Sequence, residues 1–289
     1  MEKLKKRLQK EERRKRGRKN NRLLILVLLL IFGAAAGTAY HLTHDPSRVQ
    51  EQRFQQALRL LDRQDYVTAV QQLDHFYQDY PGAPQAAEAI FQEAETLNLY
   101  LKEYHRALLA YLELENDYPA SPRVESSRLR VAEIYKYRLR DYNRAIASYQ
   151  SILDNGTANP DRIQYEVADS YFHLNNFEQA RIEFESLLSS YPDSPLAVEV
   201  RFRIGVVQAL DGHPRDAEKT LRALIKDHPD DPFGIEARFS LATLLEERGE
   251  LKESLQFLEK LKGVYPLPEV LQKKISQVKE RISKKKKAI

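Results

Sequence analysis

Apolar side chains recur at helical spacing along most of the chain, and the pattern itself repeats about every 37 residues between positions 50 and 267. One such stretch carries apolar residues at helical spacing, namely Ala180, Ile182, Phe184, Leu187 and Leu188. Each period holds two stretches of this kind, separated by a short polar segment. The pattern therefore predicts about six helical hairpins over residues 50–267.

Two series of small residues mark the two helices of each predicted hairpin. In the first helix a small residue follows three positions after a large apolar one, and the third copy is displaced by one residue. These small residues are Ala57, Ala94, Ala132, Ala168, Gly205 and Ala242. The second series lies about twelve residues further on and consists of Ala69, Ala107, Ala145, Ala180 and Ala217. Small side chains at both sites allow paired helices to approach closely.

A proline closes nearly every repeat, where it ends the second helix by removing a backbone donor. These prolines are Pro81, Pro119, Pro192, Pro229 and Pro266. The third repeat has Asn155-Gly156 at its end instead.

This combination of small residues, aromatic residues and a closing proline resembles the tetratricopeptide repeat (TPR). The resemblance implies an all-α fold, a right-handed superhelix or α-solenoid of stacked hairpins whose concave side binds other proteins. Two junctions, YPASPRVESS and YPDSPLAVEV, are similar to those of bacterial envelope TPR proteins of the BamD and CpoB types. The chain has no cysteine for the lipid anchor of a BamD-type lipoprotein, and its N-terminal architecture is similar to that of YfgM-type proteins.

An uncharged apolar segment, residues 23–40, precedes the repeats. A helix of this length covers about 27 Å, close to the thickness of a bilayer's hydrocarbon core. We predict that it is a single transmembrane signal-anchor, followed by a linker over residues 41–49.

The charges before this segment predict its orientation. Residues 1–22 carry twelve Lys and Arg against three Glu, and such basic flanks stay in the cytoplasm. The sequence thus predicts a cytoplasmic tail, an inner-membrane anchor and a periplasmic repeat domain. Two alternatives remain: a cleaved signal peptide, because residues 34–39 are small enough for signal peptidase, and a cytoplasmic protein whose basic arm binds polyanions. The predicted membrane orientation alone explains the basic residues of segment 1–22, so nucleic acid is not the expected partner.

No local motif for catalysis, nucleotide binding or metal binding is present, and the chain has no cysteine. Paired histidines such as His41 and His44 lie in the predicted linker, and adjacent carboxylates are common on any highly charged helical surface. We therefore predict a binding protein, not an enzyme, with no cofactor and no metal. Its expected partners are proteins or peptides of the cell envelope, while its oligomeric state is left open.

The predicted binding groove is formed by side chains next to the small residues of the first helices, or one helical turn later. These candidates are Glu95, Asn98, Glu133, Lys136, Asp169, Phe172 and Val206. Their composition predicts an acidic groove that favours basic or polar ligand segments. The alternative is a binding surface on the convex side or the edge.

The chain closes with residues 268–289, in which apolar positions at helical spacing alternate with lysines. We predict a capping helix for the last hairpin and a basic tail.

Overall fold

The computed structural model describes residues 29–34 and 46–287, and every regular element in those ranges is helical. The chain divides into two compact units, residues 1–93 and 94–289. The helices are α1 (Pro46–Asp62), α2 (Tyr66–Asp79), α3 (Ala86–Thr96), α4 (Tyr104–Asp117), α5 (Val124–Glu133), α6 (Tyr142–Asn155), α7 (Pro160–His173), α8 (Phe177–Ser190), α9 (Ala197–Leu210), α10 (Pro214–Asp227), α11 (Pro232–Glu247), α12 (Leu251–Lys260) and α13 (Pro268–Lys287). Within the described ranges they form six successive hairpins and a final helix, which confirms the predicted all-α class of repeated hairpins.

The predicted N-terminal tail, residues 1–22, and most of the predicted membrane segment lie outside the described residues. Of the segment 23–40, only residues 29–34 are described, and they are helical and exposed. Within the described ranges, no helix combines the length and the apolar character that crossing a bilayer requires.

The first unit contains the hairpin of α1 and α2. Phe54 of α1 packs against Phe76 of α2, with ring centroids 5.6 Å apart. Helix α1 begins at Pro46, so residues 46–49 belong to the first hairpin and not to the predicted linker. The reason is local, because a proline fits the first turn of a helix and Ser47 continues it without a break.

The second unit is built from hairpins whose apolar clusters each join one hairpin to the next. One cluster, for example, contains Phe184 and Leu187 of α8 together with Val200 and Val207 of α9. Each of the eleven small residues of the two sequence series is buried. Since a larger side chain at these points would force the helices apart, the small residues set how closely the hairpins pack.

Short polar side chains start several of the second helices. Asp65, Asp141 and Asn176 accept hydrogen bonds from the backbone amides three residues later, at 3.4, 3.1 and 3.3 Å. These are N-caps, which satisfy amides that have no partner in the first turn of a helix. Each cap is followed directly by the first helical residue, which is Tyr66, Tyr142 or Phe177.

The hairpin junctions share one backbone conformation. Tyr80, Tyr118, Tyr191 and His228 end their helices with φ between −130° and −134°, directly before a proline. This conformation lies outside the α region, as the residue before a proline requires. In the third hairpin the helix ends at Gly156 instead, with φ of 80°, a left-handed value that favours glycine.

Close contact also demands a glycine in α11. A Cβ built on Gly234 would overlap the backbone carbonyl oxygen of His228 at the end of α10. Any side chain at this position would therefore push the last two hairpins apart.

The first helices of the second and third hairpins end in π-helical turns, Leu97–Leu101 and Ile134–Leu139. Each turn is followed by a left-handed residue, Lys102 with φ of 58° and Arg140 with φ of 53°. In these two hairpins the next N-cap lies nine positions after the small residue of the first helix, whereas it lies eight positions after it in the other hairpins. The π turns absorb this additional residue, which explains the displaced third copy in the sequence.

The final helix, α13, covers the apolar end of the last hairpin. Leu271, Ile275 and Val278 of α13 are buried in one cluster with Leu258 and Leu261. This arrangement shields a surface that a further hairpin would otherwise bury.

Candidate protein-binding site

The seven predicted groove residues divide into two groups in the second unit. Glu95, Glu133, Phe172 and Val206 are partly exposed. The other three, Asn98, Lys136 and Asp169, are buried. These three side chains therefore do not line an open groove, which corrects the expectation for them.

Lys136 is the centre of a buried ionic cluster. Its ammonium group lies 2.6 Å from Glu166 Oε2 and 2.7 Å from Asp169 Oδ2, and the residue is only 2% exposed. Both carboxylates belong to α7, whereas Lys136 lies in the π turn that ends the preceding first helix. The cluster therefore joins the third and fourth hairpins.

The ionic contacts continue from this cluster toward the fifth hairpin. Arg203 of α9 lies 3.5 Å from Asp169 and donates a hydrogen bond of 3.2 Å to the hydroxyl of Tyr165. Tyr165 in turn donates to Glu199 Oε1 at 2.5 Å. A tyrosine thus lies between the arginine and a second carboxylate.

A similar contact joins the second and third hairpins. Arg130 of α5 bridges Glu95 Oε1 at 3.0 Å and Glu133 Oε2 at 2.8 Å, and the hydroxyl of Tyr111 also donates to Glu95. Arg130, Lys136 and Arg203 thus pair with five carboxylates of this face and balance part of its negative charge. Arg130 and Arg203 were missed because each lies two residues before the small residue of its helix, outside the positions that defined the groove, whereas Lys136 was among the predicted residues.

The tyrosines of this face remain hydrogen-bond donors. Burial raises the pKa of Tyr137 well above its ordinary value, and its hydrogen bond to Glu166 raises it further. Burial and the hydrogen bond to Glu199 likewise raise the pKa of Tyr165. Both hydroxyls therefore keep their protons at neutral pH, and the network does not depend on their titration.

Exposed apolar and aromatic side chains lie near this network. We call Leu99, Tyr137, His173 and Leu210 the apolar row, because each stands five residues after the small residue of its first helix. Leu99, Tyr137 and Leu210 are 47%, 55% and 53% exposed, and His173 is also exposed. Sequence analysis missed this row, although its repeat position could have revealed it.

Metal binding has no structural support in the described ranges, 29–34 and 46–287, where no group of three or more His, Asp or Glu residues is arranged to hold an ion. His41 and His44 lie outside them.

Taken together, the hairpins, the regularly placed small residues and the capping helix define a helical-repeat protein. Residues 134–195 and 211–266 match the family model of the tetratricopeptide repeat. These two segments therefore match the TPR family, and the described hairpins have the helical-repeat fold of that family. A comparison with curated proteins gives no match.

The chain is similar to several solved structures. A TPR protein from Parabacteroides merdae ATCC 43184 has a TM-score of 0.53 at 16% sequence identity, over 82% of this chain and 93% of that one. PilW, a type IV pilus biogenesis factor, has a TM-score of 0.49 at 17% identity, over 78% and 97%. YrrB, a TPR protein with an unusual peptide-binding site, has a TM-score of 0.48 at 16% identity, over 67% and 93%.

Proposed function

We propose that the chain is a membrane-anchored scaffold that binds proteins or peptides in the bacterial cell envelope. Residues 23–40 form the inner-membrane anchor, residues 1–22 stay in the cytoplasm, and the TPR hairpins lie in the periplasm. The role belongs to secretion, outer-membrane assembly or cell-wall work, as in the BamD, CpoB and YfgM types that the sequence resembles.

The apolar row is the observation that carries the proposal of protein binding. Four consecutive hairpins of the second unit place an exposed apolar or aromatic side chain at the same position. All four residues lie in the last turns of their first helices, Leu99 and Tyr137 within π turns and His173 and Leu210 within regular α-helix. Aromatic side chains at such a surface supply much of the binding energy of protein interfaces. A row of this kind fits an extended or helical segment of a partner that presents apolar side chains.

The proposed orientation rests on charge, since twelve basic residues precede the uncharged segment. Alkaline phosphatase, which is active only outside the cytoplasm, should be active when fused after Tyr40 and inactive when fused after Arg22. Inactivity after Tyr40 would favour the cytoplasmic alternative. The mass of the protein in the membrane fraction separates an intact anchor from a cleaved signal peptide.

Protein binding at the row can be tested by site-specific crosslinking in cells. A photo-crosslinking amino acid replaces Tyr137 or Leu210 in the full-length chain, and Ile182 serves as the control, because it is an exposed apolar residue of a second helix. We expect the same crosslinked envelope partner from both row positions and none from Ile182. Equal crosslinking from all three positions would argue against a specific surface.

A further inference from the structure

Every hairpin except the third ends with an aromatic or imidazole side chain at the same position, eleven residues after the small residue of its second helix. These side chains belong to Tyr80, Tyr118, Tyr191, His228 and Tyr265. The third hairpin has Gly156 there, and it also has Leu129 where most first helices carry an aromatic residue. Two large side chains are thus replaced by smaller ones in a single hairpin.

In the last hairpin the junction ring packs on the hairpin's own first helix. Tyr265 stacks on Phe239, with centroids 4.7 Å apart and planes 11° apart, and its hydroxyl donates to Glu236 Oε2 at 3.2 Å. Tyr191 packs against the apolar cluster that joins the fourth and fifth hairpins. In these two hairpins the junction ring therefore packs at the end of the hairpin, and the hydroxyl of Tyr265 also uses a nearby carboxylate as its acceptor.

The third hairpin has a cavity of about 110 Å³ next to its junction. Leu129, Ile152 and Ile163 form its apolar lining, and Thr157 from the junction contributes to it. Exposed Asn159 and Arg162 lie at its edge, so the cavity reaches the surface. Its size is comparable to that of the cavity of about 150 Å³ that binds benzene in another protein.

Tyr149 gives this cavity a polar group that has no partner. The residue lines the cavity and is fully buried, and its hydroxyl has no hydrogen-bond partner among the described residues. Buried hydroxyls in folded proteins nearly always have one. The cavity also has three carboxylates in its lining, those of Glu125, Glu133 and Glu166.

We propose that this cavity is a socket for a tyrosine side chain of a bound protein partner, which takes the place that the junction ring fills in the other hairpins. The ring packs on Leu129, Ile152 and Ile163. Its hydroxyl accepts a hydrogen bond from Tyr149 and donates one to a carboxylate of the lining, as Tyr265 does to Glu236. The proposal rests on the proposed function only in that a protein supplies the ring.

The chemistry distinguishes tyrosine from similar side chains. Phenylalanine would fill the space but leave the Tyr149 hydroxyl without a partner. Arginine would be attracted by the carboxylates but cannot accept a hydrogen bond from Tyr149. The socket should therefore prefer tyrosine to both.

Saturation-transfer NMR can test this on the full-length chain in dodecyl maltoside, a detergent without aromatic rings. The probes are N-acetyl-tyrosinamide and the corresponding phenylalanine and arginine amides. We expect the tyrosine probe to bind about fivefold more tightly than the phenylalanine probe, which corresponds to one net hydrogen bond. Equal binding of the two, tighter binding of the arginine probe, or no binding of the tyrosine probe would overturn the proposal.

Two variants test whether the probe binds in the cavity. Leu129→Phe fills the space with the ring that other hairpins carry, so it should abolish binding. Tyr149→Phe removes one oxygen, so the tyrosine probe should bind no better than the phenylalanine probe, while the melting temperature stays the same or rises. Unchanged binding in Leu129→Phe, or an unchanged preference in Tyr149→Phe, would overturn the assignment.

A matched control separates the socket from the apolar row. Leu210→Ser changes the row without touching the cavity and should leave binding of the tyrosine probe unchanged; weakened binding would count against the socket. If the probe binds as expected but Tyr137 and Leu210 give no crosslinks, the proposed function fails and the socket stands. Crosslinks without probe binding would reject the socket alone.

Discussion

Lys136 is the residue on which the contact between the third and fourth hairpins most depends. Its ammonium group lies within 2.7 Å of two carboxylates, and all three side chains are nearly inaccessible to solvent. Burying charged groups is costly unless they are paired. The two carboxylates are therefore tolerated in the interior because the lysine, together with Arg203 beside Asp169, offsets their charge.

Replacing the lysine should expose this dependence. Lys136→Met leaves the buried Glu166 without a cation and Asp169 with only the longer contact to Arg203. We expect the free energy of unfolding to fall by about 3–5 kcal/mol. Arg181→Met is the control, since Arg181 forms an exposed pair with Glu185 and should cost no more than about 1 kcal/mol. Urea denaturation measures both. Similar losses in the two variants would mean that the buried cluster is not a main source of stability.

Residues of this kind show where prediction from the sequence ends. The small residues could be located because each recurs at a fixed place in a local pattern. The burial of Lys136 could not, because its partners Glu166 and Asp169 lie in the next hairpin and an isolated lysine in a helical pattern normally faces solvent. The groove was predicted from spacing alone, and spacing does not show which cation lies beside which carboxylate.

At the scale of elements, the π turns are the main departure from regular repeats. The sequence shows one additional residue in two first helices, but it could equally have lengthened the loop that follows. The structure places it inside the helix, where Leu97 and Asn98 remain buried while Leu99 and Tyr100 are exposed. The π turn thus keeps the buried face of the helix in register and adds the extra residue to its exposed face.

Removing the additional residue should restore an ordinary helix. Deletion of Tyr100 gives the second hairpin the spacing of the other hairpins, so we expect the melting temperature to change by less than about 4 °C. Deletion of His173, which like Tyr100 lies three residues before the next N-cap, rotates the end of a regular helix by about 100° and should cost more. Circular dichroism at 222 nm follows both transitions, and equal losses would contradict this role of the π turn.

At the scale of the whole molecule, ion pairs join successive first helices of the second unit. Glu95 and Arg130 lie 3.0 Å apart, and Glu246 and Arg281 lie 2.8 Å apart across α11 and α13. Apolar clusters give such arrays most of their stability, while the ion pairs fix which side chains meet.

The pair at the C-terminal end predicts a pH dependence. Burial acts to raise the pKa of Glu246, but the hydrogen bonds and charges of Lys274 and Arg281 lower it overall. Because the pKa of Glu246 is lower in the folded state, its carboxylate stabilises the fold at pH values above the ordinary pKa of 4.5. This stabilisation is lost as the pH falls through the pKa of the folded state. Glu246→Gln should therefore cost about 2 kcal/mol at pH 7 and progressively less below pH 4.5.

Urea denaturation of the wild type and the variant at pH 7 and at about pH 3.5 measures this difference. Glu280→Gln is the control, because Glu280 forms only an exposed pair with Lys284; it should show no measurable change at either pH. A cost of Glu246→Gln that does not depend on pH would contradict the assignment.

Gly234 limits how far the six hairpins can be treated as copies of one unit. The same position holds Ala86, Val124 and Ala197 in other hairpins, so an engineer who averaged the repeats into a consensus module would place a larger residue there. The methyl group of such a module would strike the carbonyl of His228. Arrays assembled by exchanging hairpins would therefore have to transfer the last junction together with the glycine that accommodates it.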